Sequence, residues 1–361
     1  MKTKQNQLNN LGKRYSQGIF LSGNILVSFG ILLVTVGGSW DITNHLLNKP
    51  ETFFSPPHAL MYSGVAISLI GVVLSLIGFR KMEANKSNFR LPLRLTFFGI
   101  ALLTGAGPFD FVWHSNFGLD GLLSPSHLTL IVGMLFCSLG GMIGISRFLI
   151  LNNYQKNFSR YLLVLATLPV WLAGSGLVSS LSLPFSNTEF FKFNPDPLLA
   201  FVIATIAYPF LISLICITSA KLSNFKPGII SLVGWLFLLI YGMTAIVPNF
   251  ALIESIEFYS FNIIPFVIVD IVVSFRKTRS VLFFSGGILG SVFYMVYYPY
   301  VMYTFNEFLL EKLVSPSMIY HTYFELMPQV MQITIIPSII FGVIGVFISF
   351  KFSNKISIKL Q

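Results

Sequence analysis

The strongest constraint on the fold of this chain is a series of apolar stretches that recurs along its length. Each stretch has about 20 residues, the length that a helix needs to cross the hydrocarbon core of a bilayer. Backbone polar groups find no water there, so a spanning segment must satisfy them internally as a helix. The stretches are 19–38, 58–79, 93–114, 127–148, 161–183, 197–220, 228–247, 260–275, 281–303 and 330–350. The sequence therefore predicts an all-α polytopic membrane bundle of about ten transmembrane helices, built from repeated two-helix hairpins.

The charged residues predict how these helices are oriented. Hydrophobic residues make up 54% of the chain and charged residues 10%, which excludes a large soluble domain. Lys and Arg concentrate in both terminal segments and in alternate connections between helices. The positive-inside rule then places both termini in the cytoplasm and all the histidines at the extracytoplasmic face of the cell membrane. The net charge of +10 follows from this orientation and predicts contact with the lipid bilayer, not with nucleic acid.

Four of the 5 histidines belong to a pattern that occurs twice. The pattern Asp-x3-His-x12-His lies at Asp41, His45 and His58, and again 69 positions later (110 − 41) at Asp110, His114 and His127. Glycines recur in the same register, with Gly38, Gly64 and Gly71 matching Gly107, Gly133 and Gly140. This agreement favours an internal duplication of a two-helix unit. The predicted divisions are a cytoplasmic tail 1–18, a duplicated metal-binding hairpin pair 19–148, the remaining transmembrane bundle 149–350 and a cytoplasmic tail 351–361.

The spacing within each copy brings three metal-ligand side chains together. An Asp and a His four residues apart lie on one face of a helix. The second His follows a Ser-Pro pair, Ser55-Pro56 or Ser124-Pro125, in which Ser is expected to cap the next helix and Pro to occupy its first position. Two imidazoles and a carboxylate suit copper, zinc and non-haem iron. The same spacing also fits Asp residues that only orient the His rings.

The pattern resembles the copper motif in a transmembrane component of the particulate methane and ammonia monooxygenases. In that family the Asp and first His end one transmembrane helix, the second His starts the next, and all three ligate copper near the extracytoplasmic face. The resemblance covers only the two hairpins and implies that Asp41, His45 and His58, and also Asp110, His114 and His127, bind copper. It further implies oxygen activation at copper and other membrane subunits as partners.

Aromatic residues crowd the two motifs. Trp40 and Trp113 adjoin the Asp and His positions, and Phe54 and Phe117 lie nearby in sequence. Under the monooxygenase resemblance, these four residues are candidates for the lining of a pocket for a small apolar substrate. Aromatic residues also gather at membrane interfaces for reasons unrelated to substrate, and that explanation is the stronger of the two.

Other functions fit the same residues. A zinc-dependent membrane hydrolase would use the metal to activate water, with Asp120 or Glu51 as general base. A copper-handling or oxidase-assembly protein, or a transporter, would need no catalysis. A transport path would carry ionisable groups inside the membrane, but only Asp270 clearly does so, and pairing with Arg276 is expected for it. Haem b held by paired imidazoles is a further option, although it leaves the Asp residues unexplained.

A third, altered site is predicted at the last hairpin. There Met318 takes the position of the second His after a Ser-Pro pair, His321 follows one turn later, and Glu307 lies near the end of the preceding helix. Met is a soft ligand that suits Cu(I). Packing is nevertheless its commoner role.

Overall fold

The computed structural model describes most of the chain, and every statement about structure below concerns that part. The described residues are 2–47, 49, 52–82, 85–118, 123–152, 158–182, 195–250, 253, 256–293, 296, 324 and 327–358. Within them the regular secondary structure is helical. The helices are α1 (Lys2–Leu46), α2 (Pro56–Lys81), α3 (Lys86–Phe117), α4 (Pro125–Leu151), α5 (Phe158–Ser182), α6 (Pro197–Leu222), α7 (Ile229–Ile246), α8 (Ile256–Ser260), α9 (Ile263–Phe275), α10 (Arg279–Ile288) and α11 (Met327–Ile358).

The prediction of an all-α polytopic bundle is confirmed. Among the described residues, 8 helices are long and apolar enough to cross a membrane, as expected of a multi-pass membrane protein. Two shorter apolar helices, Ile263–Phe275 and Arg279–Phe293, correspond to the eighth and ninth predicted stretches. The second of these is α10 continued by a π-helical segment, Leu289–Phe293. Helix α1 starts at Lys2 and α11 ends at Ile358, so both segments predicted as tails largely continue the helices.

Small residues bring the helices of each hairpin into backbone contact. A Cβ added to Gly64 of α2 would lie 2.5 Å from the carbonyl oxygen of Gly30 in α1. In the second hairpin, a Cβ added to Gly99 would lie 2.8 Å from the carbonyl oxygen of Gly133. Gly99 and Gly133 are the positions that match Gly30 and Gly64 in the repeat. Because membrane helices associate by such close packing, the two hairpins share their mode of assembly as well as their motif.

The most buried part of the bundle centres on α5. Its Trp171 stacks on Phe237 of α7, with ring centroids 4.1 Å apart, and meets the edge of Phe266 of α9 at 5.5 Å. Nearby, Asp270 of α9 accepts hydrogen bonds from the backbone N–H of Ser231 at 2.9 Å and from its hydroxyl at 2.7 Å. The carboxylate thus joins α9 to the first turn of α7. The expected pairing of Asp270 with Arg276 is replaced by this contact.

Candidate metal centre

The hairpin turns place each second His as the sequence predicts, although by different local contacts. Helix α4 begins at Pro125, and Ser124 caps it by accepting a hydrogen bond from the backbone N–H of His127 at 3.4 Å. Helix α2 begins at Pro56, but Ser55 makes no side-chain cap, so the capping prediction is wrong there. Both second histidines nevertheless lie in the first turn of their helix.

The second copy of the motif forms a compact group of three ligand-type side chains. Oδ1 of Asp110 lies 3.4 Å from Nε2 of His114 and 3.5 Å from Nε2 of His127. One ligand atom from each residue can be chosen so that all three lie within 4.8 Å of one another. Two ligands bound tetrahedrally at about 2.0–2.1 Å from one ion are about 3.3 Å apart. The two Asp–His distances therefore agree with the edges of a tetrahedral site.

The outer nitrogen of His114 fixes how its ring faces this site. Nδ1 of His114 lies 3.0 Å from the carbonyl oxygen of Gly118, which follows α3. A carbonyl only accepts hydrogen bonds, so Nδ1 carries the proton, and in a neutral ring Nε2 then presents its lone pair to Asp110. A lone pair and a carboxylate oxygen repel each other unless a proton or a cation lies between them. Metal-bound His typically donates its other N–H in this way.

The first copy of the motif repeats this arrangement in the part that is described. Nε2 of His58 lies 3.1 Å from Oδ1 of Asp41, whose exposed fraction is 8%. Nδ1 of His58 lies 3.0 Å from the carbonyl oxygen of Thr52. Both hairpins therefore hold a His between a backbone carbonyl and the carboxylate. The side chain of His45 lies outside the described residues.

The described ion pairs join each Asp to a His of its own hairpin. Asp41 pairs with His58, and Asp110 pairs with His114 and His127. This pairing supports one ligand group for each hairpin.

Tyr62 packs beside His58 and against α3, and the sequence motif did not predict it. It follows His58 by one helical turn, and the two ring centroids are 6.2 Å apart. The ring also packs against α3, because a Cβ on Gly107 would come within 3.4 Å of it. The charges of Asp41 and Asp110 both act on the Tyr62 hydroxyl. Its four-residue spacing from His58 was the signal in the sequence, but only the packing of α2 on α3 gives it meaning.

Ser126 is a second residue that the motif did not reveal. Its hydroxyl donates a hydrogen bond to the carboxylate of Asp110 and lies 3.3 Å from the hydroxyl of Ser124. The matching position in the first hairpin is Pro57, which has no hydroxyl to donate. The two sites therefore differ in how their carboxylates are held.

The aromatic residues predicted to line a pocket fall into two groups. Trp113 packs on Phe117 with ring centroids 4.5 Å apart, whereas Phe54 contacts Phe53 at 4.9 Å and Tyr62 at 6.3 Å. Trp40 is half-buried on α1. Phe53 also meets Phe111 at 5.6 Å and so connects α3 with the turn before α2. The pocket stays a prediction.

Several predicted residues cannot be compared with the structure. Met318, His321 and Glu307 of the third site, and the general-base candidates Asp120 and Glu51, lie outside the described residues.

No protein-family model, no curated protein and no solved structure matches this chain. The resemblance to the monooxygenases therefore rests on the motif and its spacing.

Proposed function

We propose that this chain is an integral membrane metalloprotein that binds copper at the ends of its first two hairpins. The second site would use Asp110, His114 and His127, and the first Asp41, His45 and His58. The observation that carries the proposal is the convergence of Asp110 with both imidazole Nε2 atoms, at 3.4 and 3.5 Å.

The contacts of the outer His nitrogens with backbone carbonyls favour a bound metal over a simple His–Asp ion pair. A His–Asp ion pair needs a proton on Nε2, and a single occurrence would be explained by that alone. Here the same arrangement of carbonyl, imidazole and carboxylate occurs in both hairpins, at His58 and at His114. In the second hairpin one carboxylate oxygen faces two imidazoles, and two positively charged rings would repel each other. One cation among the three side chains satisfies all of them.

The choice of copper rests on donor chemistry together with the resemblance. Two imidazoles and one carboxylate suit copper, zinc and iron alike. The resemblance to the monooxygenases favours copper, with the sites facing the extracytoplasmic side and both chain termini in the cytoplasm. Basic residues at the opposite ends of the same helices, such as Arg80 and Lys81 at the end of α2, support this orientation.

Catalysis is the further step of the proposal. Copper would supply one-electron chemistry with molecular oxygen, and the substrate would be a small apolar molecule that enters from the outer leaflet. The residues of this chain would hold the ion, exclude water from it and provide an aromatic surface beside it. Phe53, Phe111 and Tyr62 form that surface at the α2–α3 contact.

Metal analysis of the detergent-purified protein tests the proposal. We expect two copper ions per chain in the wild type and none at these sites in a variant with His45, His58, His114 and His127 replaced by Ala. The double variants His45→Ala/His58→Ala and His114→Ala/His127→Ala should each retain one. Asp196→Asn is the matched control, because Asp196 is an exposed carboxylate that caps α6 and takes no part in the described ion pairs of either site.

Other outcomes select among the alternatives. Zinc in place of copper would favour the membrane hydrolase, and a haem spectrum would favour electron transfer. Copper without oxygen consumption would favour a copper-handling or assembly role. Absence of any metal from the wild type after loading with copper or zinc would refute metal binding and leave the His–Asp contacts as ion pairs.

A further inference from the structure

Arg147 is a buried cation at the end of the bundle opposite the metal sites. It lies one turn before the end of α4, and its exposed fraction is 3%. One guanidinium nitrogen donates to the carbonyl oxygen of Asn88 in the first turn of α3, at 2.5 Å. The neighbouring packing is apolar, with Phe89 and Met82 buried and Phe148 packed against them.

The guanidinium of Arg147 is only partly satisfied by the described residues. A guanidinium has five N–H donors and stays charged at any physiological pH. Its Nε is buried without a hydrogen-bond partner, and no described carboxylate forms an ion pair with it. An ionisable group inside a membrane protein that lacks its counter-charge indicates a functional site. An anion bound beside the guanidinium would supply the missing counter-charge.

The repeat supports this interpretation. Arg147 occupies the position that matches Gly78 in the first hairpin (78 + 69). At Gly78 a Cβ would lie 2.6 Å from the backbone nitrogen of Phe20, so that hairpin admits no side chain there. The second hairpin instead carries the longest cationic side chain at a position where the first hairpin requires none. Arg147 is therefore a feature that the second hairpin does not share with the first.

Other cations surround the same end. Arg80 and Lys81 end α2, and Lys86 begins α3 with its amine 3.4 Å from the carbonyl oxygen of Arg80. The amine of Lys86 lies 5.2 Å from the ring centre of Phe79, and that of Lys81 lies 5.9 Å from the ring centre of Tyr15. The amine of Lys86 therefore lies beside Phe79, which packs against the apolar cluster of Phe20, Met82 and Phe89. This end of the bundle combines the buried guanidinium of Arg147 with nearby amines and an apolar surface.

We propose that Arg147 is the centre of a binding site for a phosphate group supplied by an anionic phospholipid. The guanidinium fork matches two phosphate oxygens, and basic groups between membrane helices on the cytoplasmic side recognise phospholipid head groups. Exposed apolar residues of the adjoining helices, Ile77 on α2 and Leu91 on α3, offer a surface for the acyl chains. The site is independent of the metal centres and of the function proposed for them.

The test compares thermal unfolding of delipidated protein in detergent with added phosphatidylglycerol, phosphatidylcholine or inorganic phosphate. Phosphatidylglycerol should raise the unfolding midpoint of the wild type by several degrees, because a ligand that binds only the folded state stabilises it. Arg147→Met should lose most of this increase. Arg90→Met, which removes an exposed Arg from α3, should keep it.

Two further readouts keep the test decisive. Native mass spectrometry should find anionic phospholipid on the wild type and on Arg90→Met, with at least a fivefold lower bound fraction on Arg147→Met. If Arg147→Met does not fold, Arg147→Lys keeps a charge without the fork and should show a reduced midpoint increase. An equal increase with phosphatidylglycerol in the wild type and the Arg147 variants, or an equal increase with phosphatidylcholine, would overturn the proposal. An equal increase with inorganic phosphate would overturn the lipid as the source.

Discussion

The backbone carbonyl of Gly118 positions the ring of His114 at the proposed second metal site. Its φ of 74° and ψ of −169° lie in a region that is essentially restricted to glycine, and another residue there costs about 1–3 kcal/mol. A Cβ at this position would meet no atom within 4 Å, so Gly118→Ala changes the backbone preference alone. The strain is relieved if the peptide turns, which removes its carbonyl from Nδ1 of His114. Loss of such a partner typically lowers metal affinity about 10–100-fold, and we expect a decrease in that range.

The assay is a competition titration with a chromophoric chelator. It uses a His45→Ala/His58→Ala background, so that only the second site binds. Gly105→Ala is the matched control, because Gly105 lies on the same helix, has ordinary helical φ and also has open space at its Cβ. Pulsed EPR of the copper-loaded protein adds a second readout, since the signal of the outer imidazole nitrogen depends on its hydrogen bond. An affinity within twofold of the parent, with an unchanged EPR signal, would refute the orienting role of Gly118.

Three further predictions concern the site and the scaffold. Ser126→Ala should lower copper affinity of the second site severalfold and leave the first unchanged, as measured by the same titration in the two double-variant backgrounds. Asp270→Asn should lower stability by about 1–3 kcal/mol, because it weakens the buried bonds from Ser231; an unchanged unfolding midpoint would contradict this. Gly64→Ala should destabilise the protein more than Gly133→Ala in thermal unfolding. A Cβ at position 64 would lie 2.5 Å from a backbone oxygen, whereas at position 133 the nearest obstacle is a flexible Leu side chain at 2.9 Å. Equal effects of the two substitutions would refute the comparison.

The helices could be predicted from the sequence because their length and polarity are set by the bilayer. The first seven predicted stretches and the last correspond to long helices, whose ends extend into the connections and, for α1 and α11, through most of the predicted tails. The ninth stretch shows the limit of that argument. Its helix changes to π-helical geometry at Leu289–Phe293, where a Cβ on Gly290 would lie 2.5 Å from the carbonyl oxygen of Ser338 in α11. Hydropathy predicts that such a segment is apolar, but the helical geometry depends on a partner far away in sequence.

The convergence of Asp110, His114 and His127 could be predicted for a similar reason, whereas the groups around them could not. Asp110 and His114 share a helical face by local spacing, and Ser-Pro fixes where α4 starts, so the positions of all three follow from short-range rules. Tyr62 and the carbonyl of Gly118 gain their positions from the α2–α3 contact and from one backbone conformation. The spacing of Tyr62 from His58 indicates a shared helical face, but it does not predict the contact with α3. The ring of Tyr62 lies close to Gly107, and this contact spans the two hairpins.

The two repeats differ in the residues around their motif copies, which indicates that the two hairpins have different roles. The ligand positions are kept, and so are the packing glycines Gly30, Gly64 and Gly71, which recur as Gly99, Gly133 and Gly140. Pro57, Tyr62 and Gly78 in the first hairpin correspond instead to Ser126, Ile131 and Arg147 in the second. Ser126 holds a carboxylate, Tyr62 packs beside His58 and against α3, and Arg147 places a charge at the opposite end of the bundle. Under the proposed duplication and metal binding, the two units would start with identical sites, and changes beside the ligand positions would then give one scaffold two sites of different affinity.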